Sequence, residues 1–292
     1  MRVAIYGRFF DEEFKSHISR FFEIISENGV EIVVFKDFLE FLVKTINIDT
    51  KQIEIFTKHS DLRNNIDLLF SIGGDGTILN AITFVRNYGI PIVGINTGRL
   101  GFLAGIAKDK IESALKAILS SKYQIEERSL LKLESTSNLF GDFPYSLNEI
   151  AVQKVDSAMI TVHVNIDGEF LNTYWADGLI VSTPTGSTAY SLSVGGPIIV
   201  PQSGNFIISP ISPHNLTVRP VVLPDTSKLQ LKLEGRSLNY IASLDHRSMM
   251  IKNTEELTIS KANFKIKLIK LNNSSFYKTL RSKLMWGIDK RN

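Results

Sequence analysis

At 292 residues, 43% of them hydrophobic and 22% charged, the chain can bury two ordinary cores, and intrinsic disorder is excluded. Its 33 Lys and Arg nearly balance 30 Asp and Glu, and the formal +3 speaks against a nucleic-acid tail while fitting an anionic small ligand. Cysteine is absent, which removes disulfides, thiolate metal sites and cysteine nucleophiles, as a reducing cytosol permits.

The chain opens MRVAIYGRFFDEEF, where the apolar run is too short for a signal peptide, and no stretch reaches the length of a bilayer span. A cytoplasmic protein with neither membrane nor nucleic-acid partners is expected. Residues 3–6 read as a strand ending at Gly7. Phe14, Ile18, Phe21 and Ile25 then recur at helical spacing up to an Asn28-Gly29 stop. A second strand (30–35), a helix (38–46) and a third strand (67–72) follow. Beyond the loop at 73–77 come a helix to Tyr88, the buried strand IPIVGINTG, and a helix over 108–120. Such alternation predicts a Rossmann-like α/β domain, a parallel sheet with both faces covered and ligands at the carboxyl ends of its strands.

Near residue 125 the apolar period becomes alternating, in ITVHVNI (160–166), LQLKL (229–233) and FKIKL (264–268), and prolines crowd residues 184–224. The expected organisation is an α/β domain over 1–125, a β-rich, sandwich-like domain over 126–270, and a C-terminal segment, 271–292. In that last segment Tyr277, Leu280, Leu284 and Met285 recur at helical spacing, and the expectation that it packs back on the first domain is not itself read from the sequence. No internal repeat or low-complexity tract is present.

Four stretches can carry chemistry. In SIGGDGTILNA, Gly73, Gly74 and Gly76 let backbone N–H groups approach an anion, and a helix starting near Thr77 adds its positive end. A tight strand-to-helix turn capped by Asp75 or Thr77 accounts for the glycines equally well, and neither GxxxxGK[ST] nor GxGxxG is present. The carboxylate of Asp75 tips the balance. Beside a phosphate it is repulsive unless it binds Mg²⁺ or takes a proton from an attacking hydroxyl. GINTGRLGFLA (94–104) follows the next strand and offers Arg99 as a phosphate partner, or as a solvated surface charge. WADGLIVSTPTGSTAYSLSVGGPIIVP (175–201) offers many short hydroxyls and the Tyr190 ring, though β-turns use the same residues. In SLNEIAVQK, Asn148 and Glu149 can hold the two hydroxyls of a ribose, or simply form a polar strand entry.

Elsewhere the bland alternatives prevail. His163 falls on the polar phase of its strand and is expected to be solvated, and His214, in ISPHNL, caps a turn or meets a ligand. No His, Asp and Glu cluster has transition-metal spacing, so no direct protein metal ligand is expected. GSTAY is not the GxSxG elbow, which argues against Ser187 as a nucleophile.

Together, GGDGT (73–77), NTGRLGFL (96–103), NE (148–149) and DGLIVSTPTGSTAYSLSVGGPI (177–198) resemble the NAD kinase family, bacterial type, in the family's order and over nearly the whole chain. The ending YKTLRSKLMWG is also similar to family C-termini. GGDGT alone is shared with diacylglycerol and sphingosine kinases and, more loosely, with phosphofructokinases, so a lipid or sphingoid-base kinase is the alternative enzyme. A dinucleotide-binding regulator without catalysis is the alternative from another class, and the presence of Asp75 counts against it.

The resemblance implies transfer of the γ-phosphoryl of ATP to the 2′-hydroxyl of the adenosine ribose of NAD, with Mg²⁺ or another divalent cation, in a cleft between an α/β and a β-rich domain. It implies Asp75 as proton acceptor, a phosphate loop of Gly73, Gly74 and Thr77 with Arg99, and Gly76 at the NAD site. Asn148 and Glu149 would lie at a ribose and Asp177 near the nicotinamide end. Thr188, Ala189, Tyr190, Ser191, Leu192 and Ser193 would surround the adenosine part. Self-association as a dimer or tetramer is implied too, a neighbouring subunit completing the NAD site. Two positions depart from relatives: Arg247 stands where bacterial members often have Gln, and Trp175 where some have a basic side chain.

Overall fold

Val3, Ala4 and Ile5 are wholly buried in the first strand, β1 (Arg2–Gly7), as a central parallel strand covered on both faces requires. In this computed structural model the described residues are 1–46, 48–51, 53–63, 65–98, 101–271 and 275–287. The chain divides into two compact units, Met1–Glu127 with Ile266–Asn292, and Arg128–Lys265.

In the first unit β1 is followed by α1 (Lys15–Glu27), β2 (Glu31–Phe35), α2 (Lys36–Thr45), β3 (Glu54–Phe56), β4 (Leu68–Ile72), α3 (Asp75–Val85), β5 (Ile92–Ile95) and α4 (Ile111–Leu119). The strands pair in parallel in the order β3-β2-β1-β4-β5. Helix α1 buries Ile18, Phe21, Phe22, Ile24 and Ile25, and its Phe21 ring meets Phe70 of β4 edge-on at 5.1 Å. The register places Gly7 beside Ile72 and Ile72 beside Ile95, so three carboxyl ends lie in one row. The row extends one residue further, because the Arg8 N–H donates to the Ile72 carbonyl at 3.2 Å and the Gly73 N–H to the Ile95 carbonyl at 2.9 Å. Everything that follows a strand here emerges on one rim.

The second unit begins within β6 (Gln124–Ser135) and continues through β7 (Tyr145–Ser146), β8 (Glu149–Lys154), β9 (Ile160–Ile166), β10 (Glu169–Ala176) and β11 (Gly178–Ser182). A single helical turn α5 (Tyr190–Ser193) leads to β12 (Asn205–Ile211), β13 (Val221–Pro224), β14 (Leu229–Gly235), β15 (Asn239–Leu244) and β16 (Arg247–Lys252). The unit ends within β17 (Glu256–Lys270), whose final residues return to the first unit, where Leu268 pairs in parallel with Ile92 of β5 before α6 (Phe276–Leu284). One antiparallel sheet runs β13-β12-β11-β8-β15-β16, and another joins β10, β9, β14 and β17. Val152, Val181 and Phe206 from the first meet Val162, Leu231 and Ile259 from the second in one core, which makes the unit a sandwich.

The alternation seen in the sequence matches these faces. LQLKL buries every other residue, its lysine and glutamine standing outward. Helix α3 starts two residues before the expected Thr77, because Gly74 takes the N-cap position and Asp75 itself lies in the first turn.

Phe70 is fully buried against Phe21, with no polar group to compensate a void. Phe70→Ala should cost about 3–5 kcal/mol of stability, read as a lowered thermal midpoint.

Candidate functional site

In the first unit the site begins with a strand that stops at a glycine. Gly73 has φ 151°, and a Cβ there would lie 2.2 Å from Thr77 Oγ1, so both backbone and space demand glycine. Gly74 and Gly76 are exposed, and a Cβ on either would meet nothing within 4 Å. Their smallness serves no internal packing. It leaves the N-terminal turn of α3 open to an approaching anion.

Asp75, half-buried in that turn, does more than cap a helix. Its Oδ2 accepts the Phe102 N–H at 2.7 Å, and its Oδ1 accepts those of Leu103 at 3.1 Å and Ala104 at 2.9 Å. The second glycine-rich stretch is thereby pinned to the first. A Cβ on Gly101 would fall 1.8 Å from Asp75 Oδ1, so the pinning requires glycine at 101. Asn96 shapes the same stretch by accepting the Gly98 N–H at 2.7 Å. Arg99, expected as a phosphate partner, lies outside the described residues.

The second unit repeats the device. Asp245 accepts the N–H groups of Leu147 at 2.9 Å and Asn148 at 2.7 Å, and that of Glu149 at 3.2 Å, and returns its own N–H to the Glu149 carbonyl at 3.0 Å. It sits at φ 52° in the two-residue turn between β15 and β16, a conformation that aspartate tolerates. Asn148 and Glu149 are buried, at 8% and 7% exposure, and Glu149 Oε2 has no hydrogen-bond partner among the described residues. Burial, and then the neighbouring Asp245 charge, push the Glu149 carboxyl up to about 8, the Tyr190 backbone N–H opposing. Burial likewise raises Asp245 to about 6, against the pull of its three amides and of Arg247. Among the described residues Glu149 Oε2 is thus a buried carboxyl oxygen without a partner, a feature that packing does not explain.

The hydroxyl-rich stretch is used differently from the expectation. Thr183 Oγ1 donates to the Leu147 carbonyl at 2.6 Å and accepts the Gly186 N–H at 3.1 Å, and Ser182 Oγ donates to the Asn148 carbonyl at 3.2 Å. Ser187 is fully buried and bridges the Pro184 carbonyl to the Ile199 N–H. Ser191 Oγ lies 3.2 Å from Ser209 Oγ. These groups brace Asn148 and Glu149 and the corner after β11. The part left at the surface is Thr188, Ala189, Tyr190, Leu192 and Ser193, half-buried or exposed, with Tyr190 Oη accepting from Gln153 at 2.8 Å.

Other expected residues have structural partners. Asp177 pairs with Lys154 at 2.6 Å. Arg247 donates to the Phe143 and Tyr145 carbonyls and lies 5.1 Å above the Phe143 ring. The exposed Trp175 offers its carbonyl to the N–H of the exposed His214 at 2.9 Å. His163 is not simply solvated: Nδ1 is 2.8 Å from Thr173 Oγ1 and Nε2 is 3.2 Å from Glu234. Asp245 and Gly101 were not singled out by sequence reasoning. The only local signal for Asp245 is an aspartate between two alternating runs, which marks a turn and says nothing of its partners.

Residues 3–123 match the profile described as ATP-NAD kinase N-terminal domain, and residues 147–271 the profile described as ATP-NAD kinase C-terminal domain. Curated proteins named NAD kinase from Cytophaga hutchinsonii and Flavobacterium psychrophilum are 47% and 46% identical, each over the whole of both chains. An NAD kinase from Archaeoglobus fulgidus, solved in complex with ATP, is similar in structure with a TM-score of 0.76 and 28% identity, over 98% of this chain and 99% of that one. Yeast NADH kinase complexed with NADH has a TM-score of 0.87 at 23% identity, over 98% of this chain and 88% of that one, a likeness of fold.

Both raised carboxyls are least costly to the folded state when protonated. Their stabilising contribution is therefore fully present below the ordinary carboxyl range and is lost as pH rises, through about 6 for Asp245 and about 8 for Glu149. Glu149→Gln should flatten that fall, leaving the variant about 2–4 kcal/mol less sensitive than wild type to a change from about pH 5 to about pH 8.5 in urea denaturation.

Proposed function

The chain belongs to the NAD kinase family, and from that membership we propose residue roles for a phosphotransferase that moves the γ-phosphoryl of ATP to the 2′-hydroxyl of the adenosine ribose of NAD, giving NADP and ADP. Gly74, Asp75 and Gly76 present the first N–H groups of α3 to the transferring phosphates, where the helix end and fixed amides offset the negative charge. Thr77 holds the turn against Gly73.

The observation that carries the role of Asp75 is the uneven use of its two oxygens. Oδ1 takes two amides and Oδ2 one. A carboxylate has about four acceptor sites, so Oδ2 keeps one for the proton of the attacking hydroxyl, while the three amides fix the group's orientation. Asn148 and the unpartnered Glu149 Oε2 hold ribose hydroxyls, braced by Asp245. Thr188, Ala189, Tyr190, Leu192 and Ser193 surround the adenosine part, with the buried Ser191 holding their corner, and Asp177 lies toward the nicotinamide end.

Mg²⁺ or another divalent cation, when bound, neutralises charge on the phosphates. A cytoplasmic homo-oligomer, dimer or tetramer, is proposed on the resemblance to the family.

Asp75→Asn should lower kcat by about 100- to 10,000-fold in an assay of NADP formation, and near-normal turnover in a folded variant would refute the proton-acceptor role. Gly101→Ala should displace the Asp75 carboxylate and lose most of the activity, with circular dichroism verifying the fold.

A further inference from the structure

The turn that carries Asp245 also carries Arg247, and the two side chains grip one stretch of chain by opposite chemistry. Asp245 accepts the N–H groups of Leu147, Asn148 and Glu149, while Arg247 donates to the carbonyl of Phe143 at 2.8 Å and to that of Tyr145. Consecutive donors are held at one end of the stretch, and alternate acceptors at the other. Leu244 pairs with Ile150, and this register sets the turn against the start of β8.

The stretch needs such a grip, because the chain enters it irregularly. Asn138, Phe140 and Gly141 stand at φ 53°, 65° and 58°, and Pro144 has no N–H to give to a ladder. On one side β6 takes the Pro144 carbonyl through the Leu133 N–H at 2.8 Å. The guanidinium takes the carbonyls on either side of that one, as a neighbouring strand would. Only a planar fork can reach both acceptors while lying over an aromatic face, and the Arg247 guanidinium is 5.1 Å from the centre of the buried Phe143 ring and 5.8 Å from that of Phe140. Its charge also opposes the effect of burial on Asp245, favouring the ionised form that accepts the three amides.

We propose that Arg247 is a positioning residue for the acceptor substrate: by fixing residues 143–145 and supporting the hold of Asp245 on the amides of 147–149, it sets where Asn148 and the Glu149 carboxyl meet the ribose hydroxyls, without touching substrate itself. This rests on the reading of Asn148 and Glu149 as ribose contacts.

Arg247→Lys keeps the charge and most of the stem but loses the fork, and Arg247→Met loses both. With Arg247→Lys the KM for NAD should rise about threefold to tenfold, the worth of one hydrogen bond to a displaced hydroxyl, with kcat and the KM for ATP within about twofold. Amide hydrogen exchange should quicken at residues 147–149, more in Arg247→Met than in Arg247→Lys, and stay unchanged at residues 102–104. In a chain already carrying Asn148→Ala and Glu149→Ala, Arg247→Lys should change kcat/KM for NAD by less than about twofold, since no contact remains to be positioned. Effects that multiply there would make Arg247 a substrate contact and overturn the proposal. A lowered thermal midpoint with an unchanged KM for NAD, the mark of a merely structural role, would overturn it too, as would unchanged exchange at 147–149. If wild-type protein made no NADP, the kinase reading would fall, and calorimetric NAD affinity unchanged in Arg247→Lys would then overturn the positioning role separately.

Discussion

Three successive backbone N–H groups on one aspartate are the constraint on which both parts of the proposed site depend. When a strand ends and the chain turns, consecutive amides lose their ladder partners, and a buried donor left without one is costly. Asp75 collects the amides of residues 102–104, and Asp245 those of residues 147–149. In each case the carboxylate gathers a segment tens of residues away in sequence and freezes it beside a group with a proposed role toward substrate. The protein thus fixes both loops with charge-assisted bonds.

The two uses differ in what surrounds the charge. Asp75 is half-buried at the positive end of a helix. Asp245 donates its N–H to the Glu149 carbonyl, burial raises the proton affinity of both carboxyls, and the Asp245 charge raises that of Glu149 further. Fixed amides can support one negative charge there more readily than two, so Glu149 is the member held protonated near neutrality, able to donate as well as accept. A protonated Glu149 and the amide of Asn148 together offer the mixed donors and acceptors that a pair of vicinal hydroxyls requires.

Much of this organisation is legible in the sequence where it is local. The alternation of apolar runs with helical periods announces the parallel sheet, and the switch to period two announces the sandwich, because both reflect burial of one face at a time. GGDGT marks its own strand-to-helix turn. What is not legible is long-range: Asp75 meets residues 27 to 29 positions on, and Asp245 residues 96 to 98 positions back. No periodicity encodes such pairings. The hydroxyls of residues 182–191 show the converse error, since a Ser- and Thr-rich run reads as a set of ligand donors while most of it satisfies the corner's own backbone. Arg247 was weighed only as a ligand contact, although it closes carbonyls more than a hundred positions away.

The second unit is inserted into the first. The chain leaves the parallel sheet within β6 and regains it only within β17, where Leu268 comes to lie beside Ile92. During synthesis Ile106, bonded to Gly94 and Asn96, can cover the carboxyl end of the outer side of β5, but at Ile92 that side waits for some 170 further residues, on the order of ten seconds at ordinary elongation rates. Over that interval an apolar strand edge stands open as a template for foreign pairing. The inserted sandwich, by contrast, is continuous in sequence and can close as soon as its last strand emerges. Order of manufacture and order of completion are thus reversed: the portion begun first is finished last, and a nascent chain is most exposed to mispairing at the edge that its own final strand will cover.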